Sequence, residues 1–439
     1  MRFRRPTASQ IVLGLLCLMY LITYMDRVNA GTAASAIKAD LPSSYLQLGF
    51  VISAWAYPYI VFQILGGWIG DRFGPRSTLF LCGLVWAVAT ILTGFVGSLT
   101  TLFLVRLMLG VGEGATFPVA TRAMQAWTPP GRRGFAQGIT HAFARFGNAI
   151  TPPIVAWLIA LVTWRGSFVV VGIASLTWVV AWFWYFRDVP ASHSAITDAE
   201  LARLPNRGQS LTGASGRPVQ VPWTSLAQRM WPVTIVYFCY GWMLWMYLNW
   251  LPTYFQQMYK LNLGRSAIFS SAVFAAGVGG DYLGGVISDS ILRRTGDRRK
   301  ARVHFVVVAF CGSFLSLVPI FFVHDLNLVV LSLAGAFFFA ELVIGPMWAI
   351  PMDIAPRYSG TASGFMNTGS AVAAVLSPTA FGYLIDRTGN WNLPFIGSLA
   401  LLLVGASLAF AMHPERPFDE VPSSESLRPP SQLPESRPA

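Results

Sequence analysis

Gly66-Gly67-Trp68-Ile69-Gly70-Asp71 recurs 218 residues later as Gly284-Gly285-Val286-Ile287-Ser288-Asp289. Each copy closes a long apolar run with glycines, then an aspartate, then arginines: Arg72 and Arg76 in the first, Arg293 and Arg294 in the second. A second set of landmarks repeats at an offset of 226. Gly134, Gly138, Pro152, Leu158 and Ile159 return as Gly360, Gly364, Pro378, Leu384 and Ile385, followed by Trp164 and Phe168 as Trp391 and Phe395. Landmarks that recur in the same order mark a body built twice.

The surroundings of these repeats are those of a membrane protein. The chain is 54% hydrophobic and 11% charged, with a mean hydropathy of +0.54, whereas a soluble domain carries about 25% charged residues. A membrane-spanning helix needs roughly 20 apolar residues. Twelve such stretches are found near 11–37, 46–70, 77–96, 100–126, 134–160, 164–186, 232–255, 266–290, 303–323, 326–352, 360–385 and 392–412, here called spans 1 to 12. The alternation required of a transmembrane barrel is absent. The expected fold is therefore an all-α membrane protein of twelve transmembrane helices in two pseudo-symmetric six-helix halves. A polar break rich in Pro and Gly separates them, so the expected boundaries are a first six-helix bundle at 1–187, a linker at 188–230, a second bundle at 231–413 and a disordered tail at 414–439. Within the linker, Thr197-Asp198-Ala199-Glu200 reads as a capping box opening a short surface helix. Parallel halves of this kind belong to transporters, with the binding site near the midplane between them.

The net charge of +12 does not indicate nucleic acid. Basic residues crowd the N-terminus (Arg2, Arg4, Arg5), the loops after spans 2, 4, 6 and 8, and the C-terminal tail, while the opposite side holds only Lys38, Arg165, Lys260, Arg265 and Arg387. This asymmetry is the positive-inside pattern. It predicts a multi-pass protein of the inner (cytoplasmic) membrane with both termini cytoplasmic, and makes Arg2 to Arg5 the flank of an uncleaved first helix. The four cysteines all lie within spans and give neither a disulfide framework nor a metal spacing. No nucleophile–base constellation or phosphate loop occurs, so no enzyme, cofactor or metal is expected.

Charge inside the spans points to function. Tyr24-Met25-Asp26-Arg27 interrupts span 1, and a charge in the hydrocarbon core costs about 2.5–3.5 kcal/mol on insertion scales. Residues at i, i+4 and i+7 share a helix face. Tyr20, Tyr24 and Arg27 make one polar stripe, Arg106, Gly110 and Glu113 a second, and His141, Arg145 and Asn148 a third. An organic anion entering such a cavity needs a cation, and the planar fork of arginine matches a carboxylate. Arg27 is the first candidate and Arg145 the second. Arg106 is a further substrate-binding candidate, with Glu113 or Asp26 as alternative partners. His141, which aligns with Asn367 across the repeat, is a candidate for substrate hydroxyls, or else a neutral imidazole satisfying a neighbour. Asp26 and Glu113 are the expected proton carriers, with substrate at Arg27 freeing Asp26. Trp348 is placed to wall the cavity. Asp281 and Glu341 are further intramembrane acids with no partner evident from the sequence.

Gly67-Trp68-Ile69-Gly70-Asp71-Arg72-Phe73-Gly74-Pro75-Arg76 resembles the loop signature between helices 2 and 3 of the major facilitator superfamily, and the resemblance extends over almost the whole chain. It implies a cytoplasmic gate containing Gly67, Asp71, Arg72, Gly74, Arg76 and, in the second copy, Asp289. That copy replaces the Asp-Arg-x-Gly run with Ser290-Ile291-Leu292-Arg293-Arg294, so a weaker latch is expected there. Tyr24 to Arg27, and Arg106 followed by Gly110-Val111-Gly112-Glu113, resemble motifs of the anion:cation symporter family. That likeness adds Tyr59 and Asn367, which match positions associated with substrate in sugar-acid members. Thr151-Pro152-Pro153 stands where drug/proton antiporters carry Gly-Pro-Gly-Gly, which argues against export. The resemblance implies a proton-coupled symporter importing a small organic anion, a sugar acid or hydroxy-carboxylate, by alternating access. Import of an aromatic or dicarboxylic acid and organic-anion exchange are the alternatives. The expected partners are the anion, a proton and the lipid bilayer, and one chain carrying both halves is expected to work as a monomer.

Overall fold

A computed structural model describes residues 6–43, 45–205 and 221–417. Part of the expected linker (206–220) and most of the expected tail (418–439) lie outside the described residues. Helices overlie all twelve spans, and no strand occurs among the described residues. Eight helical stretches are long and apolar enough to cross a membrane, including Pro130–Tyr185 at 56 residues. That stretch holds spans 5 and 6, joined where Val162 and Thr163 leave helical geometry. The helices Trp223–Tyr259 and Leu263–Thr295 supply spans 7 and 8, and Leu393–Ala409 supplies span 12.

The helix ends follow local chemistry. Thr7 opens the first helix with a capping box to Gln10, and Ser98 does the same with Thr101. Asn262 and Asp325 accept the N–H three residues on. In the linker, Thr197 caps Asp198–Leu201, but the Glu200 carboxylate turns to the Ser9 N–H at 2.7 Å instead of closing the box. Span 4 is broken at Ala115, giving Leu99–Gly114 and Thr116–Trp127. Span 10 is broken after Glu341 and resumes at Ile344, where the missing N–H of Pro346 prevents a continuous helical ladder.

The closest packing between the halves joins span 5 to span 8 and span 2 to span 11. Small residues make these crossings possible. A Cβ on Gly67 would lie 2.3 Å from the Gly360 oxygen, and one on Gly285 would lie 2.3 Å from the Gly134 oxygen. The two sequence repeats therefore meet each other's partners: the end of span 2 lies on the start of span 11, and the end of span 8 on the start of span 5.

The aspartates that close the repeats cap those starts. Asp71 accepts the N–H groups of Gly360 (3.0 Å) and Thr361 (2.6 Å) and the Thr361 hydroxyl (2.7 Å). Asp289 accepts the N–H groups of Gly134 (3.1 Å) and Phe135 (2.6 Å). A carboxylate at a helix N-terminus satisfies free N–H groups and meets the positive end of the helix dipole. The second copy thus makes the same backbone cap as the first despite its lost Asp-Arg-x-Gly run, without the hydroxyl bond that Thr361 adds to Asp71. Its cation is supplied from elsewhere, by Arg302 at 3.0 Å. The cation of Asp71 is likewise not a motif arginine but Arg122 of span 4, at 3.3 Å. Arg72 stacks on Trp68 and Phe73, and Arg76 bonds the Phe183 carbonyl through its side chain and the Asp188 carboxylate through its backbone N–H. Gly74 holds φ at +85° before Pro75 opens the next helix. Arg133 (2.9 Å) and Arg302 (3.2 Å) both bind Asp353, which adds a buried inter-half network at this end.

Candidate functional site

Above these latches, seven spans converge on a cavity between the halves. Tyr24, Arg27, Tyr59, Phe117, His141 and Arg145 line it from the first half, and Tyr237, Leu244, Trp245, Trp348, Asn367, Ser370 and Ala371 from the second. The void is about 20 Å³, room for about one water. The cavity is closed down around its own side chains, and a ligand of several heavy atoms enters only if the halves separate.

Arg27 is held on one side by Glu113, with Nε 2.6 Å from Oε2. The rings of Trp55, Tyr59, Tyr24 and Phe117 surround it, with centroids 4.5, 4.7, 5.1 and 5.3 Å from the guanidinium carbon. Aromatic faces attract a cation while fixing its position. Arg27 Nη2 has no hydrogen-bond partner among the described residues. The result is a preoriented guanidinium with a donor to spare. Its anionic partner lies behind it, because Glu113 is fully buried and outside the cavity lining.

Arg145 crosses to the other half. Its Nη2 donates to the Tyr240 hydroxyl at 3.0 Å and to Glu341 at 3.2 Å, its Nη1 to the Tyr24 hydroxyl at 3.3 Å, and Asp281 lies 3.8 Å from Nε. Tyr240 also donates to Glu341 at 2.9 Å. These contacts give Asp281 and Glu341 the partner that sequence alone did not supply. Asn367 donates to Gln63 at 2.8 Å and to the Tyr59 hydroxyl at 3.4 Å, a second bridge between halves. Gln63 was missed by sequence reading, although it sits one turn after Tyr59 on the same face. The His141 Nδ1–H donates to the Gln137 carbonyl at 2.9 Å, which leaves Nε2 as the ring's other polar atom. The ring packs between Tyr20 and Trp348, and Trp348 donates to Tyr237 at 2.7 Å.

Two expectations fail on geometry. Asp26 does not pair with Arg27. Its Oδ2 accepts from Ser175 of span 6 at 3.2 Å, and it lies outside the cavity lining. Successive residues of a helix point about 100° apart at 3.6 residues per turn, so sequence neighbours face different partners. Arg106 does not reach the cavity either. Its Nε donates to the Ile52 carbonyl at 3.2 Å, and the side chain lies within electrostatic range of both Asp26 and Glu113. Tyr24, Arg27, Tyr59, His141, Arg145, Trp348 and Asn367 do come together around one void.

The family model for the Major Facilitator Superfamily matches residues 16–378. The chain belongs to the Major Facilitator Superfamily. It is a multi-pass membrane transporter and not an enzyme. A Cupriavidus necator protein named "Probable sulfoacetate transporter SauU" is 48% identical, over 94% of this chain and 95% of that protein. An Escherichia coli K12 protein named "Probable galactarate/D-glucarate transporter GudP" is 29% identical, over 91% and 93%. Among solved structures, the superfamily transporter FucP in its outward conformation superimposes with a TM-score of 0.72, covering 92% of this chain and 99% of that one at 13% identity. That likeness concerns the fold. The candidate site of this transporter lies where its two halves face each other.

Proposed function

We propose that this transporter is a proton-coupled importer of a small organic acid, in the size range of sulfoacetate or a sugar acid, working by alternating access in the inner membrane with both termini cytoplasmic. The observation that carries the reading is the Arg27–Glu113 clasp opening into the inter-half cavity. An acid group that takes over Arg27 leaves Glu113 buried without its counter-ion. An uncompensated buried carboxylate costs several kcal/mol, and a proton removes that charge. Anion and proton therefore favour each other's binding. Asp26, which shares the field of Arg106 with Glu113, is the second proton carrier in this scheme. The 48% identity with the sulfoacetate-named relative supports a substrate of this class.

With the basic end cytoplasmic, the Asp71 and Asp289 latches close the inward gate, and substrate enters from the opposite side. The two bundles, residues 1–187 and 231–413, rock about the cavity, and a single chain provides the complete path. Proteoliposomes loaded at neutral pH and placed in acidic medium should accumulate labelled sulfoacetate or glucarate, and a protonophore should abolish the gradient. Glu113→Gln should lose pH-driven accumulation while retaining counterflow exchange. Uptake indifferent to an imposed pH gradient, but stimulated by internal substrate, would replace symport by exchange.

A further inference from the structure

Arg145 is not needed by a carrier whose substrate has one acid group, yet it lines the same cavity as Arg27. The two guanidinium groups flank one ring, with their central carbons 5.1 and 5.7 Å from the Tyr24 centroid. Both therefore contact the same aromatic side chain and open on the same cavity, so the two ends of one molecule can meet them. Each arginine is backed by a fully buried glutamate outside the cavity lining; Glu113 Oε1 has no hydrogen-bond partner among the described residues, and Glu341 also faces the Asp281 carboxylate. The clasps differ in tightness. Charge-assisted N–H···O contacts are normally about 2.7–2.9 Å. Arg27 meets Glu113 at 2.6 Å, but Arg145 meets Glu341 at 3.2 Å and Tyr24 at 3.3 Å, and its Nε has no hydrogen-bond partner among the described residues. A buried guanidinium with loosely made contacts is open to a better acceptor. Asp281, at 3.8 Å, keeps a counter-charge nearby while Glu341 is displaced.

We infer that the substrate is a short dianion, with one acid group displacing Glu113 at Arg27 and a second acid group displacing Glu341 at Arg145. This rests on Arg27 being the anion site, as proposed above. It adds a second anion subsite at Arg145, made jointly by spans 5, 7 and 10, and a selection rule: two acid groups on a short carbon chain bind better than one. Because Glu341 and Tyr240 belong to the second half, the second acid group is also what replaces the tie between the halves.

The test is binding to the full chain in lipid nanodiscs by calorimetry, with matched probes: sulfoacetate against acetate and methanesulfonate, and glucarate against gluconate. Wild type should bind a dianion at least about tenfold more tightly than its single-acid counterparts, as expected for an added charge-assisted contact. Arg145→Gln should bring the dianion down to the level of the single-acid probe. Glu341→Gln, which keeps the guanidinium and removes its competitor, should preserve the preference and tighten dianion binding; it decides the matter if Arg145→Gln does not elute as a folded monomeric peak. A wild type that binds neither dianion, or gluconate as tightly as glucarate, overturns the inference. So does an Arg145→Gln protein that keeps the preference, or a Glu341→Gln protein that loses it. Failure of the underlying reading looks different: Arg27→Gln would then bind the panel as wild type does.

Discussion

The Arg27–Glu113 and Arg145–Glu341 clasps look alike in chemistry and differ in what they join. Both partners of the first lie in one half, on spans 1 and 4, at 2.6 Å. The second ties span 5 of one half to span 10 of the other, at 3.2 Å. When two rigid bodies rock, distances within a body persist and distances between bodies change. On the proposed mechanism the first clasp is a fixed anion receptor in either state, and the second senses how far apart the halves stand.

The largest effect that separates the two comes from Arg27→Gln. Removing one partner of a buried ion pair costs about 3–5 kcal/mol, so labelled-acid uptake into proteoliposomes should fall at least about 100-fold. Uptake within tenfold of wild type, in protein that elutes normally, would deny Arg27 its place. Next in size is Gly67→Leu, whose side chain collides with the Gly360 backbone. Held apart at the basic end, the protein should label a cysteine placed at Met352 on the order of tenfold faster, a population shift of roughly 1.4 kcal/mol. Double-mutant cycles then sharpen the contrast. With Arg27→Met and Glu113→Gln the coupling read from melting should be about 3 kcal/mol, and with Arg145→Met and Glu341→Gln about 1 kcal/mol, because Asp281 remains as a substitute partner. In a Gly67→Leu background the second coupling should shrink while the first holds.

A milder disturbance of the same kind is Asp71→Asn or Asp289→Asn. Each weakens charge-assisted bonds to a helix start, by about 1–2 kcal/mol, and should speed Met352-site labelling severalfold. The two sit on different helix crossings, so their effects should add. Equal effects would support equal latches despite the divergent second motif. The smallest change serves as a control: Arg299→Ala removes a part-exposed pair with Glu415, worth less than about 1 kcal/mol, and should leave both melting and transport unaltered.

Much of this was legible from sequence because the signals were periodic or repeated. Hydropathy placed the spans, the internal repeat gave two halves, and a helical stripe found Tyr24 and Arg27 on the cavity, with Tyr20 packed behind against His141. The failures share a physical origin. Asp26 and Arg27 are adjacent in sequence and on different faces of the helix, so adjacency misnamed the partner. Arg106 shares a face with Glu113, but its long side chain ends on a backbone carbonyl. Asp281 and Glu341 need spans 8 and 10 to be brought to span 5, and no spacing within a helix announces that meeting. Asn367 was found through the repeat and the family resemblance, while Gln63 went unread because its bond to Asn367 belongs to the tertiary fold.

The two aspartate latches grip main chain. Their acceptors are carboxylates that a sequence displays, whereas most of their donors are the peptide groups of Gly134, Phe135, Gly360 and Thr361. A substitution at Phe135 leaves its N–H in place, whereas one at Thr361 also removes a hydroxyl donor to Asp71, and a Cβ at Gly134 or Gly360 would press on the capping aspartate itself. Covariation among homologues should therefore be muted at the main-chain part of these latches, and a contact map inferred from coevolving pairs would leave this gate ajar.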